Sequence, residues 1–149
     1  MAVSSRQFQP TQPPVHPPTY LHIASHHIPH LLTRPAGRFR GEVPEPRAGL
    51  EGGHIPGSLN LPFMSVLQEG DVTKLKSLEE IRDAVRESGV VLGSRVVTTC
   101  GSGVTAAVLS LALHLLGGPS SSHHQPDRFP IYDGSWTEWG GRKDSPKAK

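Results

Sequence analysis

Apolar positions along the chain change their spacing from segment to segment. Across residues 58–63, Leu59, Leu61 and Phe63 alternate with other residues after the turn Gly53-His54-Ile55-Pro56-Gly57, which predicts a short strand. Ser77 then opens a helix. Glu80 stands three residues on, giving a capping box, and Leu78, Ile81, Ala84 and Val85 form one apolar face. Gly89 is its natural stop. The β-branched run that follows predicts a strand over residues 95–99. After the turn Cys100-Gly101-Ser102-Gly103 comes a helix over residues 104–116, apolar almost all round and so expected to be buried, ended by Gly117-Gly118-Pro119. Phe129 to Tyr132 reads as a last strand, and Asp133-Gly134-Ser135 as the cap of a short helix through Trp139. Strand and helix alternate, so the expected fold is α/β, a parallel sheet with helices on both faces.

Composition divides the chain further. Gln9, Pro10, Gln12, Pro13, Pro14, Pro17 and Pro18 crowd the first segment, and no acidic residue precedes Glu42. Proline at that density removes donors and blocks helix. The expected organisation is a disordered tail over residues 1–30, a folded domain over 31–142 and a second disordered tail over 143–149. An acid-poor N-terminus raises the question of a mitochondrial presequence, but Arg6 is the only arginine before Arg34 and the prolines oppose an amphipathic helix. Mitochondrial and cytoplasmic placements both stay open. A formal charge of +2, with no Lys/Arg run among aromatics, argues against nucleic acid. The longest apolar stretch, around residues 106–116, is too short to span a bilayer. His22, His26 and His30 are spaced four apart and His123 and His124 are adjacent, but Pro29 interrupts the first series and no carboxylate or cysteine lies nearby. No metal and no cofactor is assigned.

The chemistry concentrates at one turn. Cys100 is the sole cysteine, so an internal disulfide is excluded. It ends a buried-looking strand and precedes a buried-looking helix, where a parallel sheet places its ligands. Gly101 and Gly103 allow a tight turn whose N–H groups converge on one centre, and the helix aims its positive end there too. Such a cradle favours an anion and would hold a thiolate or persulfide. Cysteine phosphatases use a related Cys-x5-Arg loop, in which arginine grips the phosphate; here that position is Ala106, which argues against phosphoryl chemistry.

Cys100-Gly101-Ser102-Gly103-Val104-Thr105 resembles the active loop of the mercaptopyruvate sulfurtransferases. Tyr132-Asp133-Gly134-Ser135-Trp136-Thr137-Glu138-Trp139 and Gly53-His54-Ile55-Pro56-Gly57-Ser58 resemble two signatures of the two-domain rhodanese and mercaptopyruvate sulfurtransferase group. Arg34-Pro35-Ala36-Gly37-Arg38-Phe39-Arg40-Gly41 and Pro44-Glu45-Pro46-Arg47 are similar to its second, catalytic domain. The resemblance implies a rhodanese-like fold and a sulfurtransferase that moves sulfur from 3-mercaptopyruvate or thiosulfate, through a persulfide on Cys100, to a thiol or cyanide. It implies that Ser102 assists proton movement, that Arg38 and Arg47 hold the donor's carboxylate and ketone, and that Gly101, Gly103, Val104 and Thr105 complete the substrate loop. Thiosulfate-specific members carry two basic residues directly after the cysteine. Gly101 and Ser102 stand there in this chain, which leans the reading toward 3-mercaptopyruvate. His54 and the two tryptophans read as structural.

Three features depart from the group. A single such domain is legible, Leu32 stands where the family's strand usually ends in Asp, and the stretch from Gly117 to Pro130 is longer and richer in Ser and His. The alternative function is a non-catalytic or truncated rhodanese module that binds anions or needs a partner, either an N-terminal rhodanese domain or a second copy of itself.

Overall fold

A computed structural model describes residues 28–117 and 128–149. Strand β1 (His30–Leu32) is buried along its whole length. It pairs in parallel with β2 (Leu59–Asn60) on one side and β5 (Val97–Thr99) on the other. A parallel bridge between Thr98 and Ile131 adds a further strand position beyond β5. Thr98 N–H donates to Pro130 O at 2.9 Å and Tyr132 N–H to Thr98 O at 2.9 Å, so the predicted strands over 95–99 and 129–132 lie side by side. Strands covered on both faces need no polar alternation, which is why β5 reads as a continuous β-branched run.

Each face of the sheet carries its own core. On one, Leu31 and Val96 meet Ile81 and Val85 of α2 (Leu78–Glu87) and Leu109 and Leu113 of α3 (Val104–Gly117). On the other, Val97 meets Ile55, Tyr132, Trp136 and Trp139, the last two from α4 (Ser135–Trp139). The expected α/β architecture, with helices on both faces, is present.

Several local expectations need correction. The capping box of α2 forms, with Glu80 N–H donating to Ser77 Oγ at 3.3 Å and Ser77 N–H to Glu80 Oε2 at 2.9 Å. Leu78, however, is 46% exposed, because it lies at the edge of the stripe centred on Ile81 and in the first turn. The helix expected to be buried all round is covered on one side only. Leu109 and Leu113 are fully buried, while Val104 and Leu111 are 73% and 54% exposed, since one layer packs against it. The strand over 58–63 shortens to β2, because Pro62 supplies no N–H and caps a 3-10 turn, Phe63–Val66. That turn leads into an antiparallel hairpin, β3 (Leu67–Gln68) with β4 (Asp71–Leu75), which the alternation pattern did not announce. It turns through Gly70 at φ +82°.

Residues 143–149, expected to be a disordered tail, are tied to the domain. His54 N–H donates to Ala148 O at 2.8 Å and Ala148 N–H to His54 O at 3.0 Å. Trp139 Nε1 donates to Pro146 O at 2.7 Å. Gly53 makes this possible: at φ +135°, a β-carbon on it would stand 2.5 Å from Ala148 O. Strand β1 starts at His30, one residue before the expected domain boundary. The tail over residues 1–27, with His22 and His26, lies outside the described residues, as do His123 and His124.

Candidate active site

The carboxyl ends of β1 and β5 are neighbours, since Leu32 is paired with Thr99. From β1 the chain leaves through Thr33 and Arg34, and from β5 through Cys100. Thr33 N–H donates to Thr99 O at 2.9 Å, holding the two exits together.

Cys100 is 2% exposed. Four donors converge on Sγ: the Thr105 hydroxyl, the Ser102 N–H at 3.3 Å, the Ala106 N–H and, more distantly, the Ser135 hydroxyl at 3.9 Å. Burial by itself pushes the thiol pKa up. The Thr105 hydroxyl, the two N–H groups and Ser135 outweigh it and bring the group below its ordinary value. The Thr105 hydroxyl is itself positioned by Thr33, whose Oγ1 lies 2.7 Å away.

The loop takes this shape because its carbonyls are held elsewhere. Trp136 N–H donates to Cys100 O at 3.0 Å, and Gly101 O accepts from the Thr137 N–H at 3.0 Å and the Thr137 hydroxyl at 2.6 Å. Carbonyls turned toward α4 leave the N–H groups of Ser102 and Ala106 to face the sulfur. Gly103 has φ +86°, and a β-carbon there would stand 2.8 Å from Asp133 Oδ1 and 3.1 Å from Asp133 O, so only glycine fits.

The cap of α4 falls within the predicted Asp133-Gly134-Ser135 string. Gly134 is the N-cap, with no side-chain cap bond. Ser135 is the first helical residue, and its hydroxyl turns inward to Cys100, accepting the Cys100 N–H at 3.2 Å.

The facing wall is the segment after β1. Arg34 is 3% exposed and forms an ion pair with Glu45, whose side chain is 4% exposed. It donates to Gly53 O at 2.6 Å and Arg38 O at 3.2 Å, and its guanidinium lies 4.6 Å from the centre of the Trp136 ring. Burial lowers its pKa and Arg38 adds to that, while Glu45 and Cys100 oppose. Arg38, in α1 (Ala36–Phe39), is half-buried beside it. Arg47 is exposed, and its Nη1 comes within 3.7 Å of where a β-carbon on Gly101 would stand. His54 is structural: its Nδ1 donates to Phe39 O at 2.9 Å, and its ring stacks on Phe39 at 3.9 Å.

Cys100, Gly101, Ser102, Gly103, Thr105 and Arg47 therefore meet at one place. Arg38 lies on the same wall beside Arg34, and Val104 turns its side chain to solvent at the rim. Thr33, Arg34 and Ser135 were not anticipated as site residues. The position of Arg34 at the head of the Arg34–Gly41 motif was a faint signal, and the Tyr-Asp-Gly-Ser-Trp string was the only one for Ser135. Among the described residues, no group of three or more His, Cys, Asp or Glu side chains is placed to hold a metal ion, and no helix is long and apolar enough to cross a membrane.

A buried cysteine in a glycine turn, set at the carboxyl edge of a parallel sheet and ringed by N–H and hydroxyl donors, defines an anion-cradle α/β domain. The family profile of the rhodanese-like domain matches residues 31–142, and the chain belongs to that family. Human 3-mercaptopyruvate sulfurtransferase is 49% identical over 72% of this chain and 33% of its own length. The Arabidopsis thaliana protein named thiosulfate/3-mercaptopyruvate sulfurtransferase 1, mitochondrial, is 38% identical over 87% of this chain and 29% of its own. The crystal structure of the Escherichia coli 3-mercaptopyruvate sulfurtransferase SseA superposes with a TM-score of 0.57 at 38% identity, covering 78% of this chain and 39% of that one. The chain thus spans about a third of the length of the curated relatives it matches.

Proposed function

We propose that this domain is a sulfurtransferase that takes sulfur from 3-mercaptopyruvate, carries it as a persulfide on Cys100 and delivers it to a thiol or to cyanide. The observation that supports this reading most directly is the set of donors around Sγ, which stabilises the thiolate relative to that of an ordinary cysteine. The thiolate attacks the sulfur of the donor. An S–S bond forms and the C–S bond breaks, its electron pair leaving with carbon as the enolate of pyruvate. The donor's thiol proton balances that enolate, and the persulfide is left as an anion. Its outer sulfur then stands about 2 Å beyond Sγ, a reach that matters because Sγ itself is buried. An acceptor thiolate or cyanide attacks that outer sulfur and releases the Cys100 thiolate.

Ser102, exposed beside the sulfur, is proposed to assist proton movement, and Arg38 and Arg47 to hold the donor's carboxylate and ketone. Gly101, Gly103, Val104 and Thr105 complete the substrate loop. Neither residue directly after the cysteine is basic, which suits a monocarboxylate better than the dianion thiosulfate. A further rhodanese domain, or a second copy of this chain, is the proposed partner across the open side of the site, in keeping with relatives three times as long.

Intact-protein mass spectrometry after incubation with 3-mercaptopyruvate tests the proposal. One sulfur atom should be added, removed again by a thiol or cyanide, and absent from Cys100→Ser. The same adduct on Cys100→Ser, or none on the wild-type chain, would sink it.

A further inference from the structure

Ser135 reaches Cys100 from a different element than the loop's own donors, and its hydrogen bonds are arranged in an unusual way. Both lone pairs of its oxygen are taken, by the Cys100 N–H at 3.2 Å and the Thr99 hydroxyl at 3.3 Å. A hydroxyl carries one proton, so a single donation remains. Two acceptors compete for it: Tyr132 O at 2.9 Å and Cys100 Sγ at 3.9 Å. Tyr132 O does not depend on that proton, because the Ser135 N–H donates to the same oxygen at 3.2 Å. The hydroxyl can therefore turn to the sulfur without orphaning a buried carbonyl.

The backbone singles out the same residue. Among the described residues, Ser135 is the only one other than glycine with a positive φ, at +50°. It is also fully buried. A strained residue persists only where its surroundings over-determine it. Here those surroundings are the bonds from Trp136 and Thr137 to Cys100 O and Gly101 O.

We propose that Ser135 is a positioning residue for Cys100, its proton resting on the Tyr132 carbonyl beside a neutral thiol and turning to Sγ when the sulfur is a thiolate. On the sulfurtransferase reading, this serves both halves of the cycle. Cys100 is the nucleophile when sulfur is loaded and the leaving group when it is discharged, and it is a thiolate at both moments.

The test is the pH dependence of Cys100 alkylation by iodoacetamide in the full chain, for the wild type, Ser135→Ala and Ser135→Gly. Glycine accepts φ +50° without strain, so Ser135→Gly should melt no lower than Ser135→Ala. Both variants should move the alkylation profile to higher pH and slow the reaction at pH 7 by about 3- to 10-fold, the worth of one modest hydrogen bond to the sulfur. A folded Ser135→Gly with the wild-type profile would overturn the proposal. So would a profile shifted in alanine but recovered in glycine, since strain rather than the hydroxyl would then be acting. A shifted profile in both variants, with no sulfur adduct on the wild-type chain from 3-mercaptopyruvate, would support the role of Ser135 and overturn the sulfurtransferase reading alone.

Discussion

Cys100 stands between two stretches of chain built in opposite ways. On one side, Tyr132, Ser135, Trp136 and Trp139 are buried, and the backbone N–H groups of Trp136 and Thr137 bond directly to the cysteine loop. On the other, the segment from Arg34 to Leu50 is largely exposed and contains four residues of regular helix, α1. What holds that second wall is one buried guanidinium, through Glu45, Gly53 O, Arg38 O and the face of Trp136. The first wall shapes the loop whose short-range, neutral donors set the chemistry of the sulfur, and adds the Ser135 hydroxyl to them. The second presents charge to whatever approaches. A thiolate has to be positioned to a few tenths of an ångström, whereas an arginine on a long stem tolerates a looser mounting, and the division of labour follows from that.

Cutting the anchor of the second wall should have the largest effect. Glu45→Ala leaves the buried Arg34 charge unpaired, and breaking such a pair by removing one partner costs about 3–5 kcal/mol of stability. Urea denaturation measures it directly. The double variant Glu45→Leu with Arg34→Met, which removes the charge along with its partner, should recover most of that loss. A Glu45→Ala chain as stable as the wild type would mean the wall is held by its backbone turns instead.

The next effect acts at β1, the strand that leads into the second wall and pairs with the strand before Cys100. His30 is 6% exposed, its Nδ1 has no hydrogen-bond partner among the described residues, and burial pushes its pKa down to about 4. Between about pH 4 and the ordinary value of 6.5, the unfolded chain binds a proton that the folded chain refuses. Stability from this group is therefore complete above about pH 6.5 and is lost as pH falls through that window, by about 3 kcal/mol in all. His30→Gln should flatten this part of the slope of unfolding free energy against pH, while the carboxylate contribution stays. An unchanged slope would show that His30 takes up its proton in the folded state.

How much of this was legible beforehand depended on whether the signal was local. The capping box at Ser77, the β-branched strand before Cys100 and the glycine turn after it are all encoded within a few residues, and each appears where the pattern put it. The exposed side of α3 was not legible, because an apolar residue carries no mark of whether a neighbour covers it. Ser135 was read as part of the Asp133-Gly134-Ser135 cap, where the N-cap is in fact Gly134. The true partner of Ser135 lies 35 residues away in sequence, across the sheet edge. The role of Arg34 was hidden for the same reason: Glu45, Gly53 and Trp136 come together on it only after the chain has folded. The tail over 143–149 was misjudged because one backbone bridge to His54 leaves no trace in composition.

The smallest effect on stability should come from an exposed arginine on the open wall, and it should also be the most selective. Arg47 is exposed, so Arg47→Ala should change folding stability by no more than about 0.5 kcal/mol. It should also leave the pH profile of Cys100 alkylation where it was, since none of the donors that reach Sγ comes from Arg47. Its guanidinium nevertheless overhangs Gly101, one residue from the nucleophile. A planar fork of donors there matches a carboxylate bidentately, and a single lost charge-assisted bond raises the barrier by about 1.5–3 kcal/mol, at least tenfold in kcat/KM. The loss should fall on 3-mercaptopyruvate and largely spare thiosulfate, which offers no carboxylate. Steady-state assays with both donors on the same preparation separate the possibilities. Equal losses would make Arg47 a general attractor of anions. No loss with either would remove it from recognition, and the open wall would then have to work through Arg38, half-buried on the same segment and nearer its anchor.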